Sequence, residues 1–142
     1  MDKKYAAQEA ITHSMMGSLG LKLIEEKEGF IRASMPVNDN TSQPFGVLCG
    51  GASLAFAEII AGYGSYLCCP EGFIPVGSSV SGNHVSSVRK APDVLVYAEA
   101  TALHLGRTTH LWNVGIKTEN GRLVSTVRVT NFIVKDKSES WK

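Results

Sequence analysis

Two periodicities divide this chain. Ile31, Ala33, Met35 and Val37 alternate with Phe30, Arg32, Ser34 and Pro36, and Trp112, Val114 and Ile116 alternate with Leu111, Asn113, Gly115 and Lys117. A spacing of two is that of a half-buried β-strand. Strands are expected over Leu21–Glu25, Phe30–Val37, Phe73–Val88, Val94–Leu105, Thr108–Thr118 and Arg122–Val134. They break at Glu28-Gly29, at Lys90 to Asp93, near Gly106 and at Glu119-Asn120-Gly121, where the Asn-Gly step signals a tight hairpin. Tyr5 to Met16 reads as a short helix ended by Gly17 and Gly20. Asn38 to Gln43 is a loop of residues that bond their own backbone in turns.

Between Pro44 and Pro70 the pattern changes: the only formally charged side chain is Glu58. Gly50 to Cys69 is too long for a strand and rich in Ala and Leu, which predicts a helix apolar nearly all round. Such a helix is buried in a fold or spans a membrane. Insertion would place Glu58 near the midplane at a cost of roughly 2.5–3.5 kcal/mol, and basic anchors are missing from both flanks, so the buried helix is expected. One helix and about six antiparallel strands make an α+β fold, the sheet wrapped around the helix. A lone helix cannot cover so many strands and leave no free edge, which points to self-association.

The 142 residues suffice for one domain, read here as 1–142. A net charge of +1 supplies no excess to hold a phosphate backbone, so no nucleic-acid partner is expected. Cys49, Cys68 and Cys69 fit neither a disulfide framework nor a zinc spacing, and no metal is expected. Met1 to Met16 carries charges and no apolar run ahead of a small-residue cleavage site, which predicts a cytoplasmic protein.

An isolated carboxylate in an apolar helix is costly unless paired or useful, and Tyr63 or Tyr66 is a candidate structural partner for Glu58. Gly50-Gly51 opens the same helix, and free N–H groups with no Cβ before them can hold an oxyanion. The two features lie eight residues apart, about 12 Å along the axis and roughly 80° around it, so one carbonyl cannot easily touch both. Two helices antiparallel across a two-fold axis bring Gly50 of one chain to Glu58 of the other. A donor facing a carboxylate suits addition of water to an activated acyl group.

The run Gln43-Pro44-Phe45-Gly46-Val47-Leu48-Cys49-Gly50-Gly51-Ala52-Ser53, followed by Glu58, resembles the active-site segment of hotdog-fold acyl-CoA thioesterases. The likeness is to the phenylacetic-acid-degradation branch, closest to the 1,4-dihydroxy-2-naphthoyl-CoA thioesterases. Val76-Gly77, Asn83-His84-Val85 and His104-Leu105-Gly106 extend it, over about Gly17 to Val134. The resemblance implies Glu58 as general base or nucleophile, the Gly50 N–H as the donor polarising the thioester carbonyl, and Gln43 orienting the reacting groups. It implies substrate or CoA contacts at Gly77, at His84, Val85, Ser86 and Ser87, and at His104, Leu105, Gly106, Arg107, Thr108 and Thr109. It also implies a homodimer that pairs into a tetramer, with no cofactor beyond the CoA of the substrate. Two positions depart from that branch: Cys49 stands where those enzymes have His, and Gly62, four residues after the glutamate, where they have Ser.

Other readings of these residues belong beside that one. Cys49 at a helix start is an alternative nucleophile, since a thiolate is favoured there. His84 is otherwise a structural histidine, and Arg107 either meets a CoA phosphate or is a solvated turn residue. Phe45, Tyr63, Tyr66 and Phe73 are candidates to line an acyl pocket or simply to fill the core. A non-catalytic acyl-CoA sensor on the same fold is the alternative function, although a mere binder gains nothing from an isolated carboxylate.

Overall fold

In a computed structural model the described residues are 11–137. A one-turn helix α1 (Met15–Ser18) precedes the strand pair β1 (Lys22–Lys27) and β2 (Phe30–Pro36), then the long helix α2 (Gly50–Cys68). Four strands follow: β3 (Phe73–His84), β4 (Leu95–Leu105), β5 (Thr109–Thr118) and β6 (Leu123–Lys135). Of the expected N-terminal helix, residues 5–10 lie outside the described residues. Ile11 and Thr12 are helical, and the chain breaks at His13-Ser14 before α1.

The strands form one six-stranded sheet in the order β1-β2-β4-β5-β6-β3, with every pair antiparallel. α2 packs across β2 to β6 on one face, giving the expected α+β architecture. The alternation does what it predicts: Trp112, Val114 and Ile116 of β5 and Val127 and Val129 of β6 face the helix and are buried against Phe56 and Ile60. Gly64 permits the close approach, because a Cβ there would fall 2.6 Å from the Trp112 ring and 3.1 Å from Ile31.

Two expectations need correction. β3 stops at His84 rather than running to Val88; beyond it the chain turns away, bonded through the Val85 N–H to the Val124 carbonyl (2.8 Å) and through the Leu48 N–H to the Val88 carbonyl (2.8 Å). And α2 is not buried all round. A single sheet covers one side of a helix, so Phe56, Ala57, Ile60 and Ala61 are buried while Ala55, Ile59, Gly62 and Tyr66 are half-buried and Glu58 is exposed. The apolar outer side of α2 therefore lies open in one protomer.

The two sheet edges differ. β1 is short, bulged after Leu23 and studded with Lys22, Glu25, Glu26 and Lys27, which discourages further pairing. β3 runs twelve residues with no Asp, Glu, Lys or Arg, and among the described residues its outer edge has no partner strand.

Candidate active site

Loop chemistry sets the start of α2. The Thr41 hydroxyl donates to the Pro36 carbonyl (2.8 Å) and accepts from the Asn38 N–H (3.0 Å), and the Thr41 carbonyl accepts from the Cys49 N–H (2.8 Å). Cys49 is thereby held as the N-cap in an extended conformation, but its side chain makes no capping bond. The leading N–H groups of Gly50 and Gly51 have no acceptor inside the helix and keep their donor capacity. Gln43 is oriented by its own loop: its Oε1 accepts from the Phe45 N–H, which leaves the carboxamide N–H groups for a ligand.

Against this helix start lies His84. A Cβ at residue 50 would sit 2.6 Å from His84 Nε2, so glycine at 50 makes room for the imidazole. On the other side His84 Nδ1 is hydrogen-bonded to the buried Ser125 hydroxyl at 2.7 Å. Gln43, Gly50, Ser53, His84, Ser86 and Ser125 line one small cavity of about 320 Å³, which Val85 and Ser87 also border. The structure thus brings together Gln43, Gly50 and the segment His84 to Ser87.

Glu58 belongs to a different cavity. Its carboxylate lies against the Gly77 backbone of β3, in space a side chain at 77 would fill. The cavity around it measures about 770 Å³ and is walled by Met15, Ala55, Ile59, Tyr66, Ile74 and Pro75. Of the four aromatic candidates only Tyr66 lines it. Phe45 is 86% exposed on the loop, and Tyr63 is buried with its hydroxyl on Glu26. Glu58 and Gly77 meet, while Glu58 and Gly50 of one protomer do not share a cavity.

The third predicted segment, His104 to Thr109, lies at the opposite end of the sheet. His84 is paired with Ser125 on β6, whereas Thr109 is paired with Phe132. Those β6 positions are seven residues apart, about 23 Å at roughly 3.3 Å per residue. His104, Leu105, Arg107 and Thr108 are exposed, with the turn closed by the Gly106 N–H on the Thr109 carbonyl (3.0 Å). Within one protomer this turn is remote from the Gly50 cavity.

Sequence reading missed a buried hub around Ser65. The Ser65 hydroxyl accepts from Trp112 Nε1 (2.8 Å) and Asn131 Nδ2 (3.0 Å) and lies 2.8 Å from His110 Nδ1. Two donors fill its lone pairs, so its proton goes to His110 Nδ1, which must be unprotonated. Burial pushes the His110 pKa below its ordinary value and the nearby His104 pushes the same way, while the Gly106 carbonyl acts in the opposite sense. The signal was present: Asn131 is a polar residue at an inward position of β6, among Val127, Val129 and Ile133.

The remaining chemistry is quieter. Cys69 is buried, its thiol on the carbonyls of Phe73 (3.1 Å) and Tyr66 (3.3 Å), and burial pushes the Cys68 thiol up. Among the described residues no group of three His, Cys, Asp or Glu is placed to hold a metal ion. No described helix is long and apolar enough to cross a membrane.

Comparison with known proteins bears on the family. The chain is 36% identical over 121 residues to the 1,4-dihydroxy-2-naphthoyl-CoA hydrolase of Escherichia coli, covering 85% of this chain and 87% of that protein. It is 35% identical over 122 residues to the proofreading thioesterase EntH of Klebsiella pneumoniae, covering 86% and 87%. The crystal structure of a thioesterase from Haemophilus influenzae superposes with a TM-score of 0.84 at 35% identity, covering 94% of this chain and 93% of that one. The family model of the Thioesterase superfamily matches residues 45–125, more than half the chain and the span from the Gly50 loop to Ser125. With its six-stranded antiparallel sheet around one main helix, the chain belongs to the hotdog-fold thioesterase superfamily and is a thioester hydrolase.

Proposed function

We propose that this chain hydrolyses an acyl-CoA thioester to the free acid and CoA, and that a second copy of the chain completes each active site. The observation that carries the second half is the division of the machinery. Gly50 and Gln43 line one cavity of a protomer and Glu58 lines another, and the eight-residue helical spacing keeps them about 12 Å apart. Two α2 helices running antiparallel across a two-fold axis bring each Glu58 to the other chain's Gly50. The unpaired, uncharged outer edge of β3, which carries Gly77 beside Glu58, supplies the pairing surface. Dimers of this kind pair further into tetramers.

In this reading the thioester oxygen accepts from the Gly50 N–H of one subunit, with the Gln43 carboxamide beside it. Glu58 of the other subunit takes a proton from water as the water oxygen bonds to the carbonyl carbon. The negative charge that develops on the carbonyl oxygen is held at the uncapped helix start. When the tetrahedral intermediate collapses, the C–S bond breaks and the CoA thiolate takes the proton back from Glu58. A route in which Glu58 itself attacks, forming a mixed anhydride that water then opens, uses the same placement. The apolar walls around Glu58 suit an aromatic or medium-chain acyl group, and His84 to Ser87 with His104 to Thr109 are the proposed CoA contacts.

The test is thiol release from benzoyl-, hydroxynaphthoyl-, phenylacetyl- and medium-chain acyl-CoA, with wild type beside Glu58→Gln and Cys49→Ala. Loss in Glu58→Gln with activity kept in Cys49→Ala supports the carboxylate mechanism. The reverse pattern assigns the nucleophile to Cys49. Binding of these thioesters without turnover overturns the hydrolytic reading in favour of an acyl-CoA sensor.

A further inference from the structure

Asn131 is a side chain of the Glu58 cavity that neither its position in the sequence nor the mechanism above uses. It stands on β6 opposite Gly77 in the strand register, and the Glu58 carboxylate lies on Gly77. The residue is only 1% exposed, yet it borders the same cavity as Glu58 and Gly77.

Its orientation follows from hydrogen-bond accounting. The carboxamide nitrogen donates to the Ser65 hydroxyl (3.0 Å) and to the Ala61 carbonyl (3.3 Å), so both N–H groups are engaged. The reverse orientation would set oxygen against oxygen at Ala61. Ser65 is itself held by Trp112 and His110, so the hub fixes the amide plane from behind. No hydrogen bond within the described residues engages Oδ1, and no buried side-chain N or O atom among them lacks a partner. Oδ1 therefore opens onto the cavity. It is a neutral acceptor in a mostly apolar wall, whose other uncharged polar side chains are Ser14 and Tyr66, and it lies one strand away from the residue that carries the Glu58 carboxylate.

We propose that Asn131 is a second catalytic residue: its Oδ1 and the Glu58 carboxylate of the same subunit together orient the water that attacks the thioester. The proposal rests on the hydrolytic reading above. Water has two O–H bonds. Donating one to Glu58 and one to Asn131 stops its rotation and leaves its lone pairs directed at the carbonyl carbon. The proton transferred is the one on Glu58, because an amide oxygen is far too weak a base to keep it. A second carboxylate in that place would repel Glu58 and hold one of the pair protonated. An amide accepts the hydrogen bond without that penalty. The balance is unchanged: the water oxygen bonds to carbon, its proton passes to Glu58, and the departing thiolate recovers it.

Asn131→Leu and Asn131→Ser in the full-length protein test this, with benzoyl-CoA and 4-hydroxybenzoyl-CoA as paired probes and a melting curve for each variant. Asn131→Leu is expected to lower kcat about 100-fold on both thioesters with KM changed less than about 3-fold, the mark of an interaction made in the transition state. Asn131→Ser leaves room for a second water where the carboxamide was, and is expected to recover about 10-fold of that loss. If the leucine variant does not fold, the kcat and KM of the serine variant decide alone. Unchanged kcat, or a KM increase at constant kcat, overturns the proposal. A loss confined to the hydroxylated thioester also overturns it, by showing that Oδ1 reads the acyl group instead of water. If wild type turns over neither thioester, the same kcat and KM comparison is made on whichever acyl-CoA of the panel above it hydrolyses; wild type that hydrolyses none of them overturns the hydrolytic reading first and this proposal with it.

Discussion

The Glu58 carboxylate rests on the backbone of Gly77, one element away on β3, in the volume a methyl group at 77 would take. Glycine at 77 is thus a condition for the carboxylate's position and not a backbone requirement, since its φ is not in the left-handed region. Gly77→Ala should push the carboxylate aside while leaving the fold intact, because residue 77 is exposed on the edge strand. The expected result is a drop in kcat of about 100-fold, the scale of a displacement near 1 Å, with an unchanged melting temperature. Steady-state kinetics beside a thermal melt would show it.

Division of the site between subunits makes a mixing experiment decisive. Glu58→Gln and Gly50→Val proteins should each be nearly inactive alone. Co-refolded at equal amounts, half the dimers are mixed, and each mixed dimer has one intact site. Activity should return to about one quarter of wild type. Sites confined to one protomer would give no recovery at all.

Gly50 and His84 are coupled by contact. Alanine at 50 would place its Cβ 2.6 Å from His84 Nε2, forcing the imidazole off the Ser125 hydroxyl. Gly50→Ala should destabilise the protein by about 1–3 kcal/mol through overpacking and reduce turnover as well. Ser125→Ala, which keeps the space but frees the ring, should cost about 1 kcal/mol for the lost hydrogen bond. Urea titration of both variants separates the steric effect from the orienting one.

Ser65 serves three side chains with one oxygen, so its loss should cost more than an ordinary serine. Ser65→Ala strands Trp112 Nε1, His110 Nδ1 and one Asn131 N–H in a buried site. The expected penalty is about 2–4 kcal/mol, read as a lower urea midpoint at unchanged m-value.

The same hub predicts a pH dependence. Burial holds the folded pKa of His110 below its unfolded value of 6.5, so the unfolded chain binds the proton more readily. Stability from this residue is fully present above pH 6.5 and falls as the pH is lowered from there toward the folded pKa. Urea midpoints measured from pH 8 to pH 5 should decline through that window in wild type. In His110→Gln the decline should flatten, because the amide carries no titrating proton.

Alternating side chains marked β2 and β5 and their inward faces, because a sheet covered on one side imposes a period of two on its own sequence; the other four strands were legible as runs between turn residues. α2 was legible from a different signal, a twenty-residue run rich in Ala and Leu that is too long for a strand. The Gln43 to Ser53 run with Glu58 marked the candidate site because a glycine pair at a helix start and one lone carboxylate are local signals. Three other facts had no local signal. Glu58 is exposed, since exposure depends on which side of α2 the sheet leaves uncovered. β3 ends at His84, since the end of a strand depends on where its neighbour stops. Gly50 accommodates His84, Gly77 accommodates Glu58, and Asn131 turns its oxygen to the cavity because residues 61 and 65 occupy its nitrogen. Each of these is a contact between elements distant in the chain, and only packing in three dimensions brings such partners together.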